Sequence, residues 1–294
     1  MAVPAGLQAQ LDSGATTLCQ CWELRRKDGA AFGFTDHDRN LSFSGLTFKA
    51  DTGLTGQALQ QTTGLSVNNA EVIGALSDIS VSEADLVAGR FDGAEVRAWL
   101  VDWSNVSDRA LIFRGTLGEI VSGGGEFRVE LRGLSEELNR SQGRVYHHLC
   151  GANLGDSACK VDLSASQFST QATVASVEGQ QEFTLSGAAG FAERHFERGR
   201  IEVVTGAASG LSGFVKRDEL EGSFRRLTLW QELRAPVTVG DKVRIEAGCD
   251  KRLVTCRAKF GNSYNFRGFP HIPGEDWMMA YPKQSGRNDG GSRN

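Results

Sequence analysis

The fold class is indicated most clearly by the stretch Glu126-Phe-Arg-Val-Glu-Leu-Arg-Gly133, in which hydrophobic and charged side chains alternate. In an extended chain, Phe127, Val129 and Leu131 lie on one side and the charged residues between them lie on the other. A helix, with its period of about 3.6 residues, would mix the two classes on each face. The stretch therefore predicts a strand with one buried face and one solvated face.

Shorter stretches of this kind occur along most of the chain. Glycine is frequent, at 36 of 294 residues, and proline is scarce, at 5, which is typical of short strands joined by tight turns. We predict a mainly β chain with two β-rich, barrel- or sandwich-like domains and a few short helices. The other predicted strands are 17–26, 31–36, 47–63, 96–100, 111–121, 171–177, 182–186, 200–205, 213–216, 225–230 and 242–246. The predicted helices precede Gly14 and cover 82–89, 133–141 and 192–198.

Near residue 144 the regular alternation of hydrophobic and polar residues stops, which predicts a domain boundary there. We expect an N-terminal β-rich domain over 1–143 and a C-terminal β-domain over 144–283. The last residues, 284–294, are rich in Gly, Ser, Asn and Arg and are predicted to be disordered.

Composition and charge exclude several function classes. The net charge of −4 provides no basic field, so direct nucleic-acid binding is not expected. No run of 18 apolar residues occurs, and the N-terminus has no cationic start or apolar core of a secretory signal. We therefore expect folding in a reducing cytoplasm, where cysteines serve as thiols or metal ligands rather than as disulfides.

Two cysteine pairs form the main candidate site. Cys150 and Cys159 are separated by eight residues, and Cys249 and Cys256 by six, each within turn-like sequence. Four thiolates from irregular loops suit zinc or an iron–sulfur cluster. The spacings exceed the two to four residues of a typical zinc knuckle, which favours iron modestly. Four ordinary buried thiols, or disulfides, are the alternatives that the residues leave open.

The remaining candidates favour structural explanations. Cys19 and Cys21 share one face of a predicted strand and are expected to be small core residues. Asp36-His37-Asp38 cannot converge on a regular strand, although a carboxylate–histidine pair is possible if the strand bends. His195 is expected on a solvated helix face, and His147 and His148 are exposed loop residues or neighbours of the cysteine site. No phosphate-binding loop, Gly-x-Ser-x-Gly or His-Glu-x-x-His pattern occurs, so we expect no enzyme.

A C-terminal segment, 259–274, places Phe260, Tyr264, Phe266 and Phe269 among glycine and asparagine turns. It is interpreted as an apolar lid over the cysteine site, as part of a subunit interface, or as an irregular segment packed on the core.

Two motifs together carry a family resemblance. The first is Gly33-Phe-Thr-Asp-His-Asp38. The second combines Gly248-Cys-Asp-Lys251, Thr255-Cys256, Phe260-Gly-Asn262, Asn265-Phe-Arg-Gly-Phe-Pro270 and Pro273-Gly-Glu-Asp276. Over about residues 5–282, the chain resembles the baseplate hub, or tail-tip, proteins of siphovirus-type phages and of the gene transfer agents of alphaproteobacteria.

This resemblance implies a virion structural protein, made in the host cytoplasm and placed at the tip of a phage-like tail. It implies a homotrimer that links the tail tube to the host-contacting tip. The implied partners are a distal tail protein ring, a tail-tip or fibre protein and other hub chains.

The C-terminal part resembles the iron–sulfur tail-tip protein of phage lambda. That resemblance implies that Cys150, Cys159, Cys249 and Cys256 hold a 4Fe-4S cluster, with zinc as the alternative. The stretch between the two pairs is longer here and looks like an inserted β-domain. Two competing functions are a cellular iron–sulfur or zinc protein with a redox or scaffolding role, and a cell-wall hydrolase, which would need an activated Cys or His.

Overall fold

A computed structural model describes residues 3–50, 55–56, 69–75, 82–123, 126–133 and 143–272. The chain forms two compact units, Met1–Ser141 and Gln142–Asn294. The described residues are mostly in strands, with a few short helices, so the predicted mainly β class is confirmed. The predicted helix at 133–141 beyond its first residue, the tail predicted to be disordered and most of the predicted strands in 47–63 lie outside the described residues.

The first unit contains a nine-stranded sheet with the order β3-β4-β2-β1-β7-β8-β9-β6-β5. Neighbouring strands are antiparallel except β2 and β4, which are parallel. Its elements are α1 (Ala5–Ser13), β1 (Leu18–Arg25), β2 (Ala31–Thr35), β3 (Leu41–Phe43), β4 (Leu46–Lys49), β5 (Thr55–Gly56), β6 (Asn69–Ala75), α2 (Glu83–Val87), β7 (Glu95–Asp102), β8 (Arg109–Gly123) and β9 (Glu126–Gly133).

Local turn and cap chemistry explains several of these boundaries. Gly29 adopts φ +92°, a left-handed conformation that favours glycine, and closes the β1–β2 hairpin. The Ser82 side chain accepts a hydrogen bond from the Asp85 N–H and caps α2, within the helix predicted over 82–89. Gly14 ends α1 in the left-handed region at φ 71°.

The core of the first unit follows the alternation in its strands. Val96 and Ala98 of β7, and Val129 and Leu131 of β9, are buried, which confirms one dry face at these positions. Cys19 and Cys21 are also buried, against side chains of β3, β4 and β7. The prediction that these two cysteines are small core residues is therefore confirmed.

The second unit contains a closed six-stranded barrel with the order β10-β11-β14-β13-β12-β15. Its elements are β10 (Ser169–Glu178), β11 (Glu182–Ser186), β12 (Arg200–Val203), β13 (Ser212–Glu221), β14 (Phe224–Leu229), β15 (Lys242–Glu246), α3 (Leu253–Phe260) and a 3-10 turn (Ser263–Asn265). All six predicted strands are present. Inward-facing aliphatic and aromatic side chains fill the barrel and form its core.

The segment 192–198 is not the predicted helix but a pair of tight turns. Arg194 and Arg198 have φ values of 60° and 63°, which a right-handed helix does not accommodate. The Phe196 N–H donates over 2.7 Å to the carboxylate of Asp218 in the barrel. This hydrogen bond to a distant residue stabilises the turns more than the local sequence favours a helix.

A fully buried ion pair fixes these turns to the barrel. Arg225 donates to the Asp218 carboxylate over 2.9 Å, and both side chains have no solvent exposure. The same guanidinium donates to the carbonyls of Phe191 and Ala192 over 2.6 and 3.1 Å. Because the charges are paired and hydrogen-bonded, the barrel interior tolerates them.

His195 departs from the predicted solvated face. Its ring lies 5.0 Å from that of Phe191 and 4.9 Å from that of Phe196, centroid to centroid. Burial, and next the nearby cations Lys259 and Arg225, lower the pKa of His195 to about 4.

Removing the Asp218 carboxylate is predicted to destabilise the second unit strongly. Asp218→Ala leaves the Arg225 guanidinium buried without its partner, at a cost of about 3–5 kcal/mol in the free energy of unfolding. Urea unfolding measures the effect. The control Glu219→Ala removes the neighbouring carboxylate, which forms an exposed pair with Arg217, and is expected to cost less than about 1 kcal/mol. Equal losses in the two variants would contradict the prediction.

The low pKa of His195 predicts a pH dependence. Between about 6.5, the pKa of an ordinary histidine, and about 4, the unfolded chain binds a proton that the native chain does not. Stability of the second unit should therefore fall as pH decreases through this window. Urea midpoints at pH 7 and pH 5 measure it, and His195→Gln should show a smaller difference. The same difference in both proteins would refute the assignment.

Candidate metal centre

The four predicted ligands lie around one small cavity at the base of the barrel. Cys150 and Cys159 belong to the irregular loop before β10, Cys249 follows β15, and Cys256 is in α3. All four line the cavity together with Leu154, Val161, Lys251, Phe260, Asn262 and other side chains. Sulfur ligands with an apolar surround are a donor set suited to a soft metal or cluster.

Closure of the barrel brings the two pairs together. Ser169 at the start of β10 pairs with Glu246 at the end of β15, and the Ala247 N–H donates to the Phe168 carbonyl over 2.7 Å. The chain therefore enters and leaves the barrel at the same place. The loops on either side of the barrel meet although 89 residues separate Cys159 from Cys249.

Amide groups point at three of the four sulfurs. The backbone N–H groups of Lys251 and Arg267 donate over 3.4 Å to the Sγ atoms of Cys249 and Cys150, respectively. The Asn262 side-chain amide donates to the Cys159 Sγ over 3.7 Å. Such donors stabilise negative charge on sulfur and tune metal–thiolate sites.

The cavity disfavours the ionised form of its cysteine side chains when no cation is bound. Burial raises the pKa of Cys249 and of Cys256, and the neighbouring cysteines add to the rise in both. The Cys256 thiol lies 3.4 Å from the Asn262 carbonyl oxygen, a contact suited to the protonated form. Four thiolates would therefore need a compensating cation. Among the described residues, no three cysteine, histidine or acidic side chains converge as ligands of a single ion.

Comparisons with known proteins identify the family. Residues 4–162 match the family described as "Baseplate hub protein, N-terminal attachment domain". A solved structure, described as the virion of a native gene transfer agent particle, contains a chain that superposes with a TM-score of 0.92 at 53% identity. The match covers 98% of this chain and 99% of the other. The chain belongs to the baseplate hub protein family.

A second family model matches the C-terminal part of the chain. Residues 194–276 match a second family, "Phage conserved hypothetical protein BR0599". The two family matches include Cys150 with Cys159 and Cys249 with Cys256, respectively. No curated protein sequence matches the chain.

The family settles the coarse predictions made from the sequence. The resemblance to phage and gene transfer agent hub proteins and the virion localisation are confirmed, and the family is one of structural virion components. Across the described residues, no helix has the length and apolar character needed to cross a membrane. The similarity to the lambda tail-tip protein stays a prediction.

Two lysines of this hub chain, to which the sequence patterns gave no role, connect the cysteine loops. Lys251 donates through its ammonium to the Ala152 carbonyl, and its own carbonyl accepts the Cys150 N–H over 2.8 Å. Lys259 donates to the carbonyls of His195 and Gly248, the latter over 2.8 Å. The sequence signal was their position beside the second pair, two residues after Cys249 and three after Cys256.

Asp156 organises the loop of the first pair. Its carboxylate accepts the N–H groups of Asn153, Ala158 and Cys159 over 2.8, 2.9 and 2.6 Å. These donors, the Cys159 N–H first, lower the pKa of Asp156. An ionised carboxylate is thus built into the turn that carries Cys159.

The predicted histidine candidates do not join this cavity. His147 and His148 are exposed, and neither lines it. At the other candidate motif the chain bends after β2, and the His37 Nδ1 lies 2.6 Å from an Asp38 carboxylate oxygen. Asp36 instead accepts the Gln20 N–H over 2.7 Å, so the three side chains do not converge.

The aromatic segment 259–274 places one of its rings at the cysteine cavity and others on the surface. Phe260 lines the cysteine cavity and packs against Phe168, with ring centroids 5.1 Å apart. Tyr264 is 96% exposed, and Phe269 packs against Tyr146 at 4.6 Å on the surface. Within the described part of the segment, Phe260, Asn262 and Asn265 line the cavity, and the interface role stays a prediction.

Removing the Lys259 ammonium is predicted to weaken the second unit. Lys259→Met withdraws the donor from two partly buried carbonyls, which costs about 1–3 kcal/mol in the free energy of unfolding. Urea unfolding measures the loss, and Lys216→Met, which removes a barrel-surface lysine placed over Trp230, is the matched control. Equal stability of the Lys259 variant and the unsubstituted protein would contradict the structural role.

Proposed function

We propose that this hub protein links the tail tube to the host-contacting tip of a phage-like particle, and that Cys150, Cys159, Cys249 and Cys256 hold a 4Fe-4S cluster. The family assignment supports the place in the tail. The single observation that supports the cluster is the common cavity lined by all four cysteines. A bound cluster supplies iron–sulfur bonds that cross-link the two loops.

The donor set fits this group. Amide N–H groups aimed at sulfur are typical of iron–sulfur proteins, where they stabilise the thiolate ligands. The spacings within the two cysteine pairs are wider than that of a zinc knuckle. Zinc on the same four cysteines is the alternative that the metal analysis below distinguishes.

The proposed role of the cluster is structural. Cross-linking Cys150 to Cys256 closes a loop of about a hundred residues, which contains the whole barrel. By chain-entropy arguments such a cross-link stabilises by at most about 4–5 kcal/mol. That is a large share of an ordinary domain stability of about 5–15 kcal/mol.

The proposed assembly is a homotrimer, which contacts a distal tail protein ring above and a tip or fibre protein below. Closed cyclic symmetry is the usual arrangement of such oligomers. Electron cryomicroscopy of assembled tails tests the copy number. Three copies at the tip are expected, and six copies, or none, would overturn the assignment.

The cluster is tested by analysis of anaerobically purified full-length protein. We expect a brown protein with about four irons and four acid-labile sulfides per chain. If the protein instead contains stoichiometric zinc and no sulfide, the cluster is refuted and the same four cysteines are zinc ligands. A protein without metal, with its cysteines free or oxidised, would refute the metal centre.

A cysteine substitution tests the structural role. Cys249→Ser should loosen the second unit and leave the first folded, since the first lies outside the cross-linked loop. Limited proteolysis should then yield a stable fragment that ends near Arg140–Arg144. The control Cys21→Ser alters a buried thiol of the first unit and should spare the second. A Cys249→Ser protein as protease-resistant as the parent would show that these cysteines are ordinary thiols.

A further inference from the structure

A cleft on the second unit lies outside the functions described so far. Arg144, Val145, His147, Asp156 and Arg267 contribute to its lining, and its volume is about 640 Å³. We call it the arginine cleft. Its volume falls within the range of about 300–1,000 Å³ that is typical of ligand-binding clefts.

The charge of the arginine cleft is opposite in sign to that of the whole chain, which carries −4. Arg144 and Arg267 are exposed, and within the described residues no carboxylate is paired with either guanidinium. Asp156 is the acidic side chain of the lining, but its oxygens accept three backbone N–H groups of its own loop. The cleft is therefore left with two guanidinium groups that can bind an anionic group.

Exposed apolar side chains lie beside the arginine cleft: Val145 lines it, and the Phe269 N–H donates to the carbonyl of His147, another lining residue, over 2.9 Å. Val145 is 79% exposed and Tyr146 is 73% exposed, and the Tyr146 ring packs against that of Phe269. Aromatic residues combined with arginine are typical of the centres of protein interfaces. A small anion would use the guanidinium groups but not this aromatic pair, so the surface fits a peptide segment better.

The wall of the arginine cleft is shared with the cysteine cavity. Ala152 lines both. The Gly151 N–H donates to the Arg267 carbonyl over 3.3 Å, and the Arg267 N–H donates to the Cys150 Sγ. The position of Arg267 in the cleft thus depends directly on where Cys150 is held.

We propose that the arginine cleft docks an acidic, extended segment of a neighbouring tail protein, with its carboxylates on Arg144 and Arg267 and an apolar side chain on the Tyr146–Phe269 pair. We further infer, on the basis of the proposed metal centre, that the cleft takes its binding shape only when the cysteine site is loaded. Docking then requires a correctly matured hub.

The docking test uses the full-length loaded protein and a fluorescein-labelled peptide of glutamates around a single phenylalanine. Fluorescence anisotropy should show binding that weakens with salt and is absent for the glutamine version of the peptide. Arg144→Glu with Arg267→Glu should reduce the affinity roughly tenfold or more, because two attractive charges become repulsive. The control, Arg217→Glu with Arg226→Glu on the barrel, changes the charge equally and should bind as the parent does.

Three results would overturn the docking proposal. The first is equal affinity of the two double variants for the peptide, and the second is equal affinity of the parent for the glutamate and glutamine peptides. The third is that the peptide does not bind and the cleft variant changes its oligomeric state, which would make a second copy of the chain the occupant. Affinity is then compared before and after metal removal in protein whose circular dichroism is unchanged. Equal affinity would refute only the inference that docking depends on the metal centre. If the protein is purified without metal, the metal centre itself is refuted, and the peptide result still decides the docking proposal.

Discussion

Barrel closure is the constraint on which the second unit depends. The pairing of β15 with both β10 and β12 completes the ring of strands, and it also returns the chain to the point at which it entered. The flanking loops are irregular, and several hydrogen bonds that fix them run from one loop to the other, as from the Cys150 N–H to the Lys251 carbonyl. These bonds can form because the strands to which the loops are attached are neighbours. The cysteine cavity, the lysine contacts and the arginine cleft are all consequences of that closure.

Buried polar contacts give the loops around the barrel a defined position. The Arg225–Asp218 pair has no solvent exposure and holds the turns at 191–198. Lys259 then joins His195 in those turns to Gly248, next to Cys249. A buried pair of this kind adds little net stability compared with apolar packing, but a wrong position leaves an unpaired charge at high cost. The network therefore specifies one arrangement of the loops.

The two units suit different parts of a tail component. The first is an open sheet, and the family description assigns an attachment domain to residues 4–162, which include this whole sheet. The second is a closed barrel without free strand edges, a construction that resists unwanted strand pairing. With the proposed cross-link and cleft, the second unit combines resistance to opening with a surface for a further protein.

The sequence alone predicted most of the strands, some of the turns and the candidate ligands, because these depend on local spacing, but it missed β3 and β6. The alternation in 126–133, the glycine at position 29 and the cap at Ser82 act over a few residues. The four cysteines were recognisable as two pairs, although which loops meet was supplied by resemblance. Only the tertiary structure decided the turns at 191–198, the burial of His195 and the contacts of Lys251 and Lys259. Each of these depends on residues distant in the chain. The buried carboxylate of Asp218 in β13 stabilises the turns against the local helix preference, and closure of the barrel brings together two cysteine loops that no local sequence pattern connects.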